Sequence, residues 1–340
     1  MLERRLAEEG NYSKLAQAIT TANADNDNGR VDRRKLRVIV DRQDVTLSLR
    51  ELLALDVYLT PFGESLADRP ILENPAPLRA LADRHDVTIV LGAYPRPKEQ
   101  RNYLSRWDVR SMAHLQQAIK HVKPDASIAI DDFLFSEETP DRPGLLDGAG
   151  PSVACIGSPR ACYISEYMLA DMFRMKPFDP EPDWDVPFHF LWTAKARVLY
   201  DSTFRVEADA IRDLDARLAD DLDRDRLWGV LQVRKELFPV RFRTDEQTWT
   251  AYGVVAAQRR ATGQVWMVIA GLSGPATFAA ASALADGRTS SVPECESPDQ
   301  HSPVHLDVVR ATVFQDYALP GDQRVVTDYR VVHHAVFTAI

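Results

Sequence analysis

Three short segments combine glycine, proline, hydroxyl and arginine in a way suited to holding an anion: Gly92-Ala-Tyr-Pro95-Arg96, Gly157-Ser158-Pro159-Arg160 and Gly271-Leu-Ser273-Gly274-Pro275-Ala-Thr277. Each follows an apolar run that reads as a strand. In the second and third, Ser158 and Gly274 fall where a helix N-cap belongs and proline falls at the first helical position, where its missing N–H is no loss. Helices starting there would aim unpaired N–H groups and the positive dipole end at the carboxyl edge of a sheet, where open α/β sheets hold ligands. Arg160 and Arg96 would add charge for a phosphate or carboxylate. Ser158, Ser273 and Thr277 would add hydroxyls, while Gly157, Gly271 and Gly274 would let a ligand approach the backbone. The ligand or cofactor expected is a nucleotide or another small anion. Neither segment carries the Gly-Lys-Ser/Thr ending of a P-loop or a GxGxxG fingerprint, and tight strand-to-helix turns alone would also account for the glycines.

Glu166 lies about one helical turn after the Gly157 loop, beside Tyr163 and Ser165. In an enzyme acting on a nucleotide it is the candidate catalytic carboxylate, stabilising an oxocarbenium-like centre in N-glycosidic cleavage or transfer. A glutamate in the first turn of a helix also complements the helix dipole without any catalytic role. No metal site is expected. Cys295, His301 and His305 lie in a Ser/Pro/Glu-rich stretch where Pro303 keeps the two histidines off one helix face. Asp221, Asp223 and Asp225 have the alternate spacing of a calcium loop, but Arg226 and Gln232 stand where it requires Gly and Glu. Asp131-Asp132 could hold magnesium only beside a phosphate ligand, and His333-His334 alternate across a strand, so they face opposite sides.

The elements that must position these residues change character along the chain. Over the first ~66 residues the apolar spacing is helical. Leu15, Ala16 and Ile19 share a face over 12–20, Leu36, Ile39 and Val40 share one over 32–40, and Ser48 with Glu51 forms a capping box for Leu49, Leu52, Leu55 and Leu59. Residues 67–86, with Pro70, Pro75 and Pro77, read as a linker and a lead-in helix. From 87 to 340 strands and helices alternate as in βαβ units, and the later strands, joined by turns at 261–264 and 319–322, read as antiparallel. The fold class expected is α/β with a small all-α N-terminal domain: a Rossmann-like mixed sheet sandwiched by helices, ending in antiparallel strands.

A second constellation lies in the helical part. With Leu36, Ile39 and Val40 turned inward, Arg34, Arg37 and Val38 point outward, flanked by Arg33 and Lys35. Arginine reads guanine edges, lysine neutralises phosphates and valine meets a thymine methyl. The run Gly29 to Asp56, GRVDRRKLRVIVDRQDVTLSLRELLALD, resembles the second half of a Cro/C1-type helix-turn-helix domain, with 32–40 in the recognition position and 49–59 as the helix behind it. The resemblance covers about a fifth of the chain, departs from the pattern in its Asn/Asp-rich stretch from Asn23 to Gly29, and implies DNA binding. Residues 1–66 hold ten basic and eleven acidic side chains, so any DNA contact must be local to this helix.

Composition sets the outer bounds. The 340 residues are 45% hydrophobic and 27% charged, which excludes collagen-like and wholly disordered chains, and a net charge of −9 argues against an overall basic coat. Three cysteines without CxxC spacing fit a reducing, cytoplasmic compartment. No secretory h-region is evident, and the longest strongly apolar run, Val265 to Ala270, is far short of a membrane span. The function expected is transcription regulation by a ligand-responsive DNA-binding protein. Its partners would be DNA, a small anion and a second copy of the chain as a homodimer, with no membrane. The alternatives are the nucleotide-acting enzyme and a non-catalytic protein-interaction module.

Overall fold

A computed structural model describes residues 9–22, 33–40, 75–84, 86–96, 101–134, 144–147, 150–179, 186–192, 202–207, 227–241, 247–297, 300–315 and 324–338, with residues 6, 31, 55 and 58 singly. The chain divides into two compact units, Met1–Arg69 with Ala318–Gln323, and Pro70–Tyr317 with Arg324–Ile340.

In the first unit, Asn11 starts helix α1 (Tyr12–Ala22) by accepting the N–H groups of Ser13 and Lys14 on its side-chain oxygen, each at 3.0 Å. Leu15 and Ile19, four apart, turn to one face and are fully buried. Helix α2 (Arg33–Val40) adds Leu36, and Val31, Leu55 and Tyr58 complete the core. Leu55 and Tyr58 are helical, but most of the helix expected over 48–59 lies outside the described residues, as do the turn at 319–322 and the acidic stretch around Asp221, Asp223 and Asp225.

The second unit is α/β. It opens with the short helix α3 (Ala76–Leu81), followed by strand β1 (Asp86–Arg96), β2 (Arg101–Leu104), helix α4 (Arg106–Val122), β3 (Ser127–Leu134), β4 (Ser152–Ile156) and helix α5 (Tyr163–Met172). Further on come β5 (Phe188–Trp192), β6 (Arg205–Glu207), β7 (Leu227–Val233), β8 (Glu236–Arg241), β9 (Thr248–Arg259), β10 (Val265–Gly271), helix α6 (Gly274–Ala285), β11 (Val304–Gln315) and β12 (Arg324–Phe337).

Eight strands form one mixed sheet in the order β12-β11-β9-β10-β4-β1, with β3 and β2 sharing the far edge of β1. β10, β4, β1 and β3 are parallel, whereas β9, β11 and β12 run antiparallel to their neighbours. Every residue of β4 and of β10 is buried, as expected for parallel strands covered on both faces and for their unbroken apolar runs SVACI and VWMVIAG. β9 and β10 are joined by the turn at 261–264, in which Gly263 takes φ +84°.

The two covering faces follow from strand alternation. Cys155 of β4 and its partner Val268 of β10 share one face, where the Cys155 Sγ lies 3.2 Å from the Ser165 Oγ of α5. Gly271 has the opposite parity and packs on α6. Helix α6 lies so close because Ala279, Ala280, Ala281, Ala283 and Ala285 bury small methyls all round it; a helix apolar on every side is a core helix. α4 lies beside it, with Trp107 and Phe278 rings 5.8 Å apart.

A second sheet, β6-β5-β7-β8, is absent from the expected single-sheet organisation of 87–340. β7 and β8 form a hairpin across Arg234, whose φ of +52° is a turn conformation, and β5 pairs antiparallel to β7. Phe188, Phe190 and Phe204 are fully buried there, with the Phe188 and Phe204 rings stacked at 5.4 Å.

Candidate ligand site at the carboxyl edge

Because β1, β4 and β10 are parallel neighbours, with Leu91 opposite Ile156 and Ile156 opposite Ile269, the chain leaves all three at one edge. The loops 157–162 and 271–277 therefore lie side by side. The Gly157 N–H donates to the Ile269 carbonyl at 2.9 Å, extending the β4–β10 ladder by one residue into the loop.

The first loop departs from the expected cap. Gly157 takes φ +129°, and then a single turn closes as the N–H groups of Ala161 and Cys162 donate to the Ser158 carbonyl at 2.7 and 2.9 Å. Helix α5 starts only at Tyr163, so Cys162, with extended backbone, is its N-cap; Ser158 and Pro159 are not its cap and first residue. The Ser158 side chain is buried and Arg160 is half-buried in the turn.

The second loop meets a helix directly. Ser273 caps α6, its Oγ accepting the Ala276 N–H at 3.4 Å, so Gly274 is the first helical residue and Pro275 the second, one position later than expected. Thr277 is buried, and its hydroxyl donates to the Ser273 carbonyl at 3.3 Å. The glycines serve close packing of protein on protein here. A Cβ on Gly271 would lie 2.5 Å from the Thr277 nitrogen, and one on Gly274 would lie 2.4 Å from the Trp107 ring.

The third segment is corrected outright: β1 does not end at Gly92 but continues to Arg96 and pairs antiparallel with β2, Ala93 opposite Leu104 and Arg96 opposite Arg101. Arg96 thus sits at the far end of a hairpin arm, and the next helix begins ten residues later. A Cβ on Gly92 would come within 2.0 Å of the Ala161 carbonyl oxygen, so Gly92 is what lets the 158–162 turn cross the end of β1.

Several residues that sequence reasoning missed gather at this edge. Ser105 caps α4, accepting the Trp107 and Asp108 N–H groups at 3.2 and 3.4 Å, and sets the buried Trp107 over Gly274. Arg106, Arg110 and Arg324 have guanidinium carbons 5.5, 4.8 and 5.8 Å from the Trp107 ring centroid, a cationic rim drawn from α4 and the start of β12. Asp108 is buried, and burial pushes its carboxyl up to about 7. Nearby, Cys155 of β4 and Cys162 at the N-cap of α5 are free thiols with their sulfurs 3.4 Å apart. A capping serine before Trp-Asp was a legible signal for the start of α4, but nothing local marks Arg324 or the cysteine pair.

Glu166 points elsewhere. It is fully buried, and its carboxylate accepts the Phe178 N–H at 3.0 Å, the Thr203 N–H at 2.8 Å and the Ser202 hydroxyl at 2.6 Å. Burial raises its pKa above the usual carboxylate value, against the opposing pull of these hydrogen bonds. The carboxylate ties α5 to the segments leading into and out of the second sheet.

The other candidates are also placed. His301 accepts the Ala261 N–H on Nδ1 at 2.9 Å, and Cys295 lies 3.5 Å from the Arg260 carbonyl. His333 faces Glu236 at 3.1 Å and His334 faces Asp307 at 2.8 Å, on opposite sides of β12. His305 stacks edge-on against His334, centroids 5.2 Å apart. Among the described residues no three His, Cys, Asp or Glu side chains form a metal-binding group. Asp131 and Asp132 are exposed on β3. Ser282, His114 and Asp286 meet between α4 and α6, but the serine sits on Nδ1 at 3.1 Å, the aspartate is 4.0 Å from Nε2, and all three are buried. They bolt the two helices together. In the first unit, Leu36 is buried while Arg33, Arg34 and Arg37 are exposed, as the helical spacing requires; the side chains of Lys35 and Val38 lie outside the described residues.

Comparison with protein-family models, curated proteins and solved structures finds no match to this chain. No helix among the described residues is long and apolar enough to cross a membrane.

Proposed function

We propose that this chain is a ligand-responsive DNA-binding regulator. Its α/β unit, Rossmann-like in its parallel β10-β4-β1 core, binds a small anion of nucleotide type at the carboxyl edge. Its all-α N-terminal unit contacts DNA through Arg33, Arg34 and Arg37, with Lys35 and Val38 on the same helix. The observation that carries the ligand half is the parallel run of β10, β4 and β1, which brings the 157–162 and 271–277 loops to one edge beside the N-termini of α4 and α6. Arg160, Arg106, Arg110 and Arg324 supply positive charge there. The DNA half rests on the exposure of three arginines opposite the buried Leu36. The enzyme alternative requires Glu166 to reach a ligand, whereas its oxygens are taken by Ser202, Phe178 and Thr203, so the regulator is the reading favoured.

Calorimetric titration of the full chain with adenosine monophosphate, inorganic phosphate and neutral adenosine tests the ligand half. The phosphate-bearing probes should bind, and Arg160→Ala should weaken them by about 1.5 to 3 kcal/mol, the range for a charged hydrogen bond. Failure of both anions to bind the parent protein, or affinity unchanged in Arg160→Ala, overturns it.

A further inference from the structure

The two cysteines at the end of β4 have a disposition that an inert structural pair would not need. Cys155 is the fourth residue of β4 and Cys162 caps α5, and the 157–162 turn folds the second back over the first until the sulfurs are 3.4 Å apart. Their surroundings differ. The Cys155 sulfur also meets the Ser165 hydroxyl at 3.2 Å, and burial, together with the hydrogen bond to Cys162, holds its thiol well above the ordinary value. Burial acts on Cys162 too, but the Cys155 thiol and the backbone N–H groups of Ser165 and Ile164 outweigh it and hold Cys162 below its ordinary value. The Asp108 carboxyl, from the first turn of α4, is the acidic group that acts on both thiols. Cys162, seated at the N-terminus of α5 where the helix's unpaired N–H groups favour a negative charge, is the sulfur disposed to be the thiolate and Cys155 the one to donate to it, the asymmetry that distinguishes an attacking thiol from its resolving partner.

We propose that Cys155 and Cys162 form a reversible redox couple that a peroxide closes to a disulfide. The Cys162 thiolate attacks one peroxide oxygen, the O–O bond breaks, and the leaving hydroxide takes up the proton that Cys162 released on ionising to become water, giving a sulfenic acid at Cys162. The Cys155 sulfur then attacks the Cys162 sulfur, the S–O bond breaks, and the oxygen departs as water with the Cys155 proton. Two thiols and one peroxide become one disulfide and two waters, the couple losing two electrons and the peroxide gaining them. A dithiol reductant reverses the step by exchange. Both sulfurs are buried, and the turn 158–161 leads directly into Cys162; its Arg160 and Ala161 are half-buried, and two hydrogen bonds to the Ser158 carbonyl close it. Opening that one turn admits a molecule as small as hydrogen peroxide. The third thiol, Cys295, lies in the 286–303 segment and takes no part.

Peptide mapping of the full chain after hydrogen peroxide treatment tests this. Tryptic cleavage after Arg160 separates Cys155 from Cys162, so the disulfide holds two peptides together until a reductant frees them. The parent protein should yield that linked pair, with Cys295 still alkylated. Cys155→Ala should instead give a Cys162 sulfenic acid that dimedone traps, and Cys162→Ala should leave Cys155 unoxidised. Folding of the variants is read from circular dichroism, and the parent result stands if either fails to fold. The proposal is overturned if the folded parent keeps both thiols at peroxide levels that oxidise Cys295, if the disulfide found involves Cys295, or if Cys155 forms the sulfenic acid in folded Cys162→Ala.

Discussion

Replacing Asp108 by Asn should make the protein more stable above neutral pH, a gain unusual for a change in a buried polar residue. Asp108 is almost wholly buried in the first turn of α4, and burial is what raises its carboxyl from 3.8 to about 7. At about 1.4 kcal/mol per pKa unit, carrying the ionised carboxylate in the fold at pH 8 is worth about 4 kcal/mol against the folded state. The folded chain binds this proton more tightly than the unfolded chain does. Its favourable contribution is therefore complete below pH 3.8 and is lost as pH rises toward 7. Asn keeps the size and carries no charge, so the parent should lose stability relative to Asp108→Asn by about 1.4 kcal/mol per pH unit between pH 5 and 7, levelling off near pH 8. Urea unfolding followed by tryptophan fluorescence at pH 5, 6, 7 and 8 measures this difference. If Asp108→Asn is less stable than the parent at pH 8, or the difference stays constant across the series, the carboxylate is compensated by a charge and the burial argument fails.

Three further perturbations test other joints of the fold. Glu166→Ala leaves the buried Thr203 N–H, the half-buried Phe178 N–H and the buried Ser202 hydroxyl without their acceptor, and should destabilise the protein by about 3 to 5 kcal/mol, with Glu166→Gln milder because its amide oxygen still accepts; chemical denaturation reads both. Gly92→Ala places a methyl against the Ala161 carbonyl and should lower stability by about 2 to 3 kcal/mol, read as a drop in melting temperature. In the N-terminal unit, Arg34→Ala with Arg37→Ala should weaken duplex binding and reduce the dependence of log K on log salt by roughly two units, measured by fluorescence anisotropy; an unchanged slope would remove these arginines from any DNA contact.

Much of the sheet was legible because its strands obey simple patterns. SVACI and VWMVIAG are unbroken apolar runs, the mark of strands covered on both faces, and they are β4 and β10. The buried Met112, Leu115 and Ile119 of α4 follow the 3, 4 spacing of a helix face. Gly92 misled because glycine before a proline signals a turn, whereas this glycine is required by a backbone crossing from another loop. Ser158 misled because Ser-Pro is also a sound isolated turn, here followed by a second start at Cys162. The second sheet escaped since β6 is three residues long and the β7–β8 turn hinges on Arg234, a residue with no turn signature. At the carboxyl edge, the two loops were legible from their Gly-Ser-Pro chemistry. The Trp107 cluster and the cysteine pair were not, because both are products of tertiary folding: Arg324 arrives from a remote strand, and a left-handed glycine folds Cys162 onto Cys155.

The proposed anion site lies where the loops leave β4 and β10, beside the N-terminus of α4. Hydrogen exchange of the full chain, followed by mass spectrometry with and without saturating adenosine monophosphate, locates binding directly. Protection should rise in peptides covering 157–162, 271–277 and the first turn of α4, and vanish in Arg160→Ala at the same nucleotide concentration. Protection confined to other segments, or undiminished at these loops in Arg160→Ala, would contradict the claim.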